Sequence, residues 1–305
     1  MVFSAQPLSP LLGAEIRGLG AGAPLSTGDR QSLRDALAIH QVLTLRDQSL
    51  TPAQFVEFCR NFGELEPFFI NAYSLPEAPE IYVLSNVRRE GRAIGRDGAG
   101  THWHSDHTFH RAPASVTLLY AVEVPDEGGD TLFADMRGAY DELPAAMKEQ
   151  LDGLRAIHRY QKKEHLYTAD HAVLPAERER IEALRELRRR EEDAAPPSPT
   201  AQRASALPDQ LHPVVRTHPV TGRKALYLND EMTVGIAGMA PAEGVALLKA
   251  LCARATRPER VYRYRWRRGD LVAWDNASVL HAATYTDPNQ ARTLYRLTVK
   301  GSEPF

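Results

Sequence analysis

Apolar positions in this chain recur mostly in short runs bounded by turn residues, the spacing of strands rather than long helices. Runs at 81–84, 116–120, 130–133, 224–228, 262–266, 271–274 and 293–299 are rich in β-branched and aromatic residues. Gly128-Gly129 and Thr221-Gly222 punctuate them as turns. The first third mixes both periods. A strand is expected at 12–16 and another at 41–46, ended by Asp47-Gln48. Between them, Ser26 or Thr27 caps a helix over about 28–39 that buries Leu33, Leu37 and Ala38. Thr51 and Pro52 open a second helix with Phe55, Phe58 and Cys59 on one face, closed by Gly63. Further helices are expected at about 139–153 and 241–254. The pattern predicts one domain over 1–305, mostly β with flanking helices, built on a double-stranded β-helix (jelly-roll, cupin-like) core.

One stretch breaks the pattern. Residues 176–193 are dense in Glu and Arg, and 194–208 in Ala, Pro and Ser. They read either as a solvated helix with a linker, or as a lid inserted at about 163–210 that orders over a substrate.

Composition narrows the function classes. The chain has 305 residues, 37 basic and 39 acidic side chains and a net charge of -2, which gives no footprint for nucleic acid or a membrane surface. No apolar run is long enough to span a membrane, and the N-terminus lacks the pattern of a signal peptide. The two cysteines, Cys59 and Cys252, form no motif and read as reduced core thiols of a cytoplasmic protein.

The candidate chemistry lies in Trp103-His104-Ser105-Asp106. On an extended segment His104 and Asp106 point to one side, while Trp103 and Ser105 point to the other. With a distant His281, they would present two imidazoles and a carboxylate on one face of a metal, the arrangement of non-haem Fe(II) oxygenases. His102, His107 and His110 compete for the same role, and His281 alone could be a core histidine bonded to backbone. Arg292 and Arg296 have the same strand parity, so both can face the interior, where two buried cations need anions. An organic co-substrate and an anionic substrate would meet that need.

In this order the motifs resemble the taurine dioxygenase and 2,4-dichlorophenoxyacetate dioxygenase (TauD/TfdA) family. The resemblance runs through Leu12-Gly13-Ala14-Glu15-Ile16, Leu45-Arg46-Asp47-Gln48, Phe62-Gly63-Glu64-Leu65, Trp103-His104-Ser105-Asp106, Gly128-Gly129-Asp130-Thr131, His218-Pro219 and Trp274-Asp275-Asn276. It implies His104, Asp106 and His281 as iron ligands. Thr131 and Arg292 match the pair that holds the far carboxylate of 2-oxoglutarate. Arg296 matches a position for an anionic substrate, and Trp103 is expected beside the site. The implied reaction uses Fe(II), 2-oxoglutarate and O2 to hydroxylate an aliphatic C–H of a small organic anion, giving succinate and CO2. Cleavage of a neighbouring C–O, C–S or C–N bond can follow, and desaturation or ring closure is the alternative outcome. Family members are often dimers or tetramers, which implies a homo-oligomer.

The chain departs from the taurine enzyme in two places. Phe68 stands where that enzyme carries a sulfonate-contacting histidine, and Gly98-Ala99-Gly100-Thr101 lacks its asparagine. Phe68, Phe69 and Tyr73 therefore suit a larger or more apolar substrate, unless they are simple core packing. Phe133-Ala134-Asp135-Met136-Arg137 resembles the aryloxyalkanoate-degrading branch. A zinc hydrolase would use the same ligands but needs a general base that the sequence does not offer. A non-catalytic binding protein would be expected to lose a ligand, and none is lost.

Overall fold

The computed structural model describes residues 3–67, 71–160, 179, 180, 182, 183, 186, 206–229 and 232–305. Among these, two antiparallel sheets carry the site. The larger has nine strands, in spatial order Ser4–Pro7, Ala14–Arg17, Val42–Leu45, Leu271–Asp275, Val116–Glu123, Thr293–Val299, Ala78–Ser85 and Ser74–Leu75, with Leu65–Glu66 pairing off Thr293–Val299. The smaller is Val261–Tyr264, Thr131–Asp135 and Val279–Ala283. Only the contact of Ala14–Arg17 with Val42–Leu45 is parallel within these two sheets.

Strand alternation sorts the side chains into layers. Leu118, Tyr120, Leu271, Ala273, Leu297 and Val299 point outward from the large sheet onto the helices Thr27–His40 and Pro52–Cys59. Their neighbours Leu119, Ala121, Val272, Trp274 and Leu294 point inward, against Phe133, Tyr264 and Val279 of the small sheet. The far face of the small sheet, with Leu132, Ala134, Leu280 and Ala282, packs on Leu248, Leu251 and Cys252 of the helix Pro241–Ala255. Each large side chain buried in such a layer contributes about 1.5–3 kcal/mol. The inner layer is where both sheets present alternate residues to each other, so polar residues at inward positions there are confined together.

Helix signals held where caps were explicit. Ser26 Oγ accepts the Asp29 N–H, and Thr51 with Gln54 forms a capping box. Both cysteines are buried, and neither forms a disulfide. The expected helix at 139–153 is instead two, Met136–Asp141 and Ala145–Leu151. Asp135 caps the first through the Arg137 and Gly138 N–H groups, and Pro144 interrupts the run. The strand expected at 224–228 stops at Leu226, and that at 262–266 runs Val261–Tyr264. Strands Arg155–His158, Gln210–Pro213, Val215–Thr217 and Thr233–Ile236 had no clear alternation to announce them; pairing partners decide them. Phe68 and Phe69 lie outside the described residues, as does most of the expected lid at 163–210. No helix among the described residues is long and apolar enough to cross a membrane.

Candidate active site

Three elements bring the metal-binding set together. His281 lies at an inward position of Val279–Ala283, directly opposite Phe133 in register. The segment carrying His104 is not a regular strand. It is clamped to His281 by reciprocal backbone hydrogen bonds, His104 N–H to His281 O at 3.0 Å and His281 N–H to His104 O at 2.8 Å. Asp106 follows on a turn. Ligand atoms of His104, Asp106 and His281 all lie within 4.8 Å of one another, a group of donors that can hold a metal ion.

The electrostatics suit a cation there. Burial would raise the Asp106 carboxyl, but the Arg296 guanidinium and the flanking imidazoles outweigh it and hold it well below the usual carboxylate range. Burial pushes His281 well below an ordinary imidazole, helped by His104. The set is thus one carboxylate and a neutral buried imidazole beside His104. The His104 Nδ1–H donates to the His102 carbonyl at 2.8 Å, which leaves the lone pair on Nε2 for a metal. Such a set fits Fe(II): two imidazole nitrogens and an ionised oxygen converging in one place.

The other end of the same cavity is cationic. A space of about 60 Å³ is lined by His104, Asp106, His281, Thr131, Arg292 and Arg296, with Leu84, Leu119 and Trp274 as its apolar wall. Arg292 Nε donates to the Gly129 carbonyl at 3.0 Å. Burial lowers its guanidinium to about 10, against the pull of Asp130 and Asp97, so it stays charged at neutral pH. Among the described residues no carboxylate pairs with it within salt-bridge distance. Thr131 is 3% exposed, and its Oγ1 accepts the Trp266 indole N–H at 3.0 Å, leaving the hydroxyl proton available to an anion. A buried cation beside a hydroxyl donor is the complement of a carboxylate.

A second chamber of about 200 Å³ opens from the metal-binding set. Arg96 and Arg296 line it with Tyr82, Phe109, Tyr160 and Met232. None of these except Arg296 had a signal in the sequence. Arg96 is placed by a backbone clamp onto Ala78–Ser85, with its N–H on the Val83 carbonyl at 2.9 Å and its carbonyl accepting from Ser85 at 3.0 Å. Tyr82 stands opposite Arg296 in register. Burial pushes its phenol up to about 12, so it faces the chamber as a neutral hydroxyl.

Two expected substrate neighbours are placed elsewhere. Trp103 is 1% exposed and packs with Leu132 and Ala134 in the layer behind the small sheet, because its parity is opposite to that of His104. Tyr73 lines a separate cleft with Leu75, Val83 and Tyr295, and meets Tyr82 of the chamber edge-on, with ring centroids 6.1 Å apart. His102 and His107 line the outer chamber, but only His104, Asp106 and His281 form a metal-type group among the described residues.

The sequence from residue 4 to residue 298 matches the family described as taurine catabolism dioxygenase TauD, TfdA family. This chain belongs to that family. It is 35% identical over 308 residues to the alpha-ketoglutarate-dependent 2,4-dichlorophenoxyacetate dioxygenase of Cupriavidus pinatubonensis, covering 98% of each chain. A crystal structure of a taurine dioxygenase from Burkholderia xenovorans superposes with a TM-score of 0.76 at 29% identity, covering 100% of this chain and 93% of that one. The crystal structure of AAD-2 in complex with Mn(II) and N-oxalylglycine gives 0.76 at 30% identity, covering 100% and 99%. As a TauD/TfdA member the chain is an oxidoreductase of the alpha-ketoglutarate-dependent dioxygenase class.

In this TauD/TfdA chain a buried ionic cluster fixes the start of the strand that bears His281. Asp275 Oδ2 accepts from His218 Nε2 at 2.8 Å, from Arg137 Nη2 at 3.3 Å and from Ser278 Oγ. His218 Nδ1 accepts the Val220 and Thr221 N–H groups at 3.1 and 3.0 Å, so its proton sits on Nε2. The His218-Pro219 and Trp274-Asp275-Asn276 motifs, far apart in sequence, meet here.

Proposed function

We propose that the protein oxidises an aliphatic C–H bond of a small organic anion with an apolar body, an aryloxyalkanoate before a small sulfonate. The reaction class is that of the TauD/TfdA family, with Fe(II), 2-oxoglutarate and O2. One observation supports the reading above the others: the metal-type group His104, Asp106 and His281 and the pair Thr131 and Arg292 border one buried cavity. A zinc hydrolase would have no use for that second pair.

His104, Asp106 and His281 would hold Fe(II), which, when bound with 2-oxoglutarate, supplies the activation of O2 as 2-oxoglutarate leaves as succinate and CO2. Arg292 and Thr131 orient the far carboxylate of 2-oxoglutarate, so its other end meets the metal. Leu84, Leu119 and Trp274 keep water from this chamber. Arg296 and Arg96 attract the substrate anion, and Phe109, Tyr160 and Met232 receive its apolar body. The 2,4-dichlorophenoxyacetate dioxygenase of Cupriavidus pinatubonensis acts on a substrate with both parts.

The inward alternation of both sheets supports a jelly-roll core in a single domain over 1–305. The reading also carries a homo-oligomer in the cytoplasm and a lid at about 163–210; sedimentation and limited proteolysis with and without 2-oxoglutarate test these. The function is tested by anaerobic addition of Fe(II) and 2-oxoglutarate, which should produce a weak visible charge-transfer band that shifts with substrate. Succinate formation should then follow O2 and be faster with 2,4-dichlorophenoxyacetate than with taurine. Metal binding without that band removes the co-substrate and with it the dioxygenase reading.

A further inference from the structure

Asp106 is held at its second oxygen by a chain of donors whose direction is fixed. The Trp274 indole N–H donates to Asn276 Oδ1 at 3.2 Å, and the Asp106 N–H reaches the same oxygen at 3.3 Å. An indole nitrogen and a backbone amide can only donate, so that atom is the amide oxygen, and the NH2 faces the other way. Asn276 Nδ2 then donates to Thr117 Oγ1 at 2.9 Å. Thr117 has a single hydroxyl proton, and it points to Asp106 Oδ2 at 2.5 Å. All four side chains are buried, and Thr117 is 0% exposed, so water cannot substitute for any link.

We propose that Thr117 is a positioning residue for the metal-binding carboxylate, with Asn276 setting the direction of its proton. Asp106 Oδ1 takes its donor from Arg296 at 2.6 Å, but Arg296 also lines the chamber for the substrate anion. Arg296 is thus the partner that an anion can draw away, and Thr117 is the one that stays. The carboxylate plane keeps its angle to His104 and His281 when the substrate arrives. This inference rests on the metal-centre reading above. Outer hydrogen bonds to metal ligands typically carry about 10- to 100-fold in metal affinity.

The test is Mn(II) affinity by chelator competition, in the absence of O2, on the full chain. Thr117→Val keeps the shape and loses the donor, and should weaken Mn(II) binding about 10- to 100-fold. Thr117→Ser restores the hydroxyl and should return affinity to within about threefold of the unmodified protein, which a loss of mere packing would not allow. If Thr117→Val does not fold, Asn276→Asp examines the same chain from its other end. It keeps the acceptor for Trp274 but replaces the NH2 donor with an oxygen that competes for the Thr117 proton, and should weaken Mn(II) similarly. Affinity within twofold of the unmodified protein in the folded Thr117→Val or Asn276→Asp variant overturns the proposal, as does an equal loss in Thr117→Ser. If the unmodified protein itself binds no Mn(II), the metal-centre reading falls and the relay with it. If it binds and the variants match it, only the relay falls.

Discussion

Arg296 Nη2 lies 2.6 Å from Asp106 Oδ1, so a cation that lines the outer chamber is already paired with the carboxylate of the metal-type group. Arg296→Met should weaken an anionic substrate on the order of a hundredfold while changing the 2-oxoglutarate requirement by less than about fivefold. Separate titrations of the two, followed by succinate release, check this. An equal loss of both would place Arg296 with the co-substrate instead.

Arg292 is the cation at the opposite end of the deep cavity. Arg292→Gln should raise the 2-oxoglutarate requirement on the order of a hundredfold, the about 3 kcal/mol typical of truncating one side of a buried charge pair. Mn(II) affinity without co-substrate should stay near that of the unmodified protein, since the side chain is not among the metal-type donors. An unchanged 2-oxoglutarate requirement would move the carboxylate anchor elsewhere.

Gly129 controls Arg292 from behind. Its φ is +65°, and an added Cβ would sit 2.9 Å from Arg292 Cδ and 3.0 Å from Nε. Gly129→Ala therefore strains the backbone and displaces the guanidinium stem at once, with about 1–3 kcal/mol at stake in the strain alone. The variant should bind 2-oxoglutarate at least about tenfold more weakly, with a lowered thermal midpoint. Normal binding in a destabilised variant would show that the stem adapts.

Asp275 ties acid stability to the His281 strand. Burial pushes its carboxyl up, but the bonds from His218 and Ser278 and the Arg137 charge outweigh this and hold it at about 2 against an ordinary 3.8. The unfolded chain therefore takes up this proton at higher pH than the folded one. The stability contributed is complete above about pH 4 and is lost as pH falls from about 4 to about 2, a total of about 2 kcal/mol. Urea unfolding of Asp275→Asn should be flatter than that of the unmodified protein across this window by that amount. Parallel pH profiles would assign the acid lability to other carboxylates.

The metal-binding residues were legible because their signal is chemical and ordered along the chain. His104, Asp106 and Thr131 sit in motifs, His281 and Arg292 follow a third motif at Trp274-Asp275-Asn276, and strand parity turns Arg292 and Arg296 inward and Trp103 away. Alternation is a local property: it says which side a residue faces, and nothing about which strand lies opposite. Only the strand order puts Thr293–Val299 between Val116–Glu123 and Ala78–Ser85. That placement sets Tyr82 beside Arg296 and Tyr73 in a separate cleft, while the pairing of Thr117 with Trp274 brings Thr117 to Asn276 and Asp106. Arg96, Phe109, Tyr160 and Met232 reach the chamber from irregular segments, where no period exists to read. The sequence by itself determined the donors, their parity and the reaction they suit. The tertiary structure decided which of them share a cavity and what holds them there, because distances across a sheet are set by long-range pairing rather than by spacing along the chain.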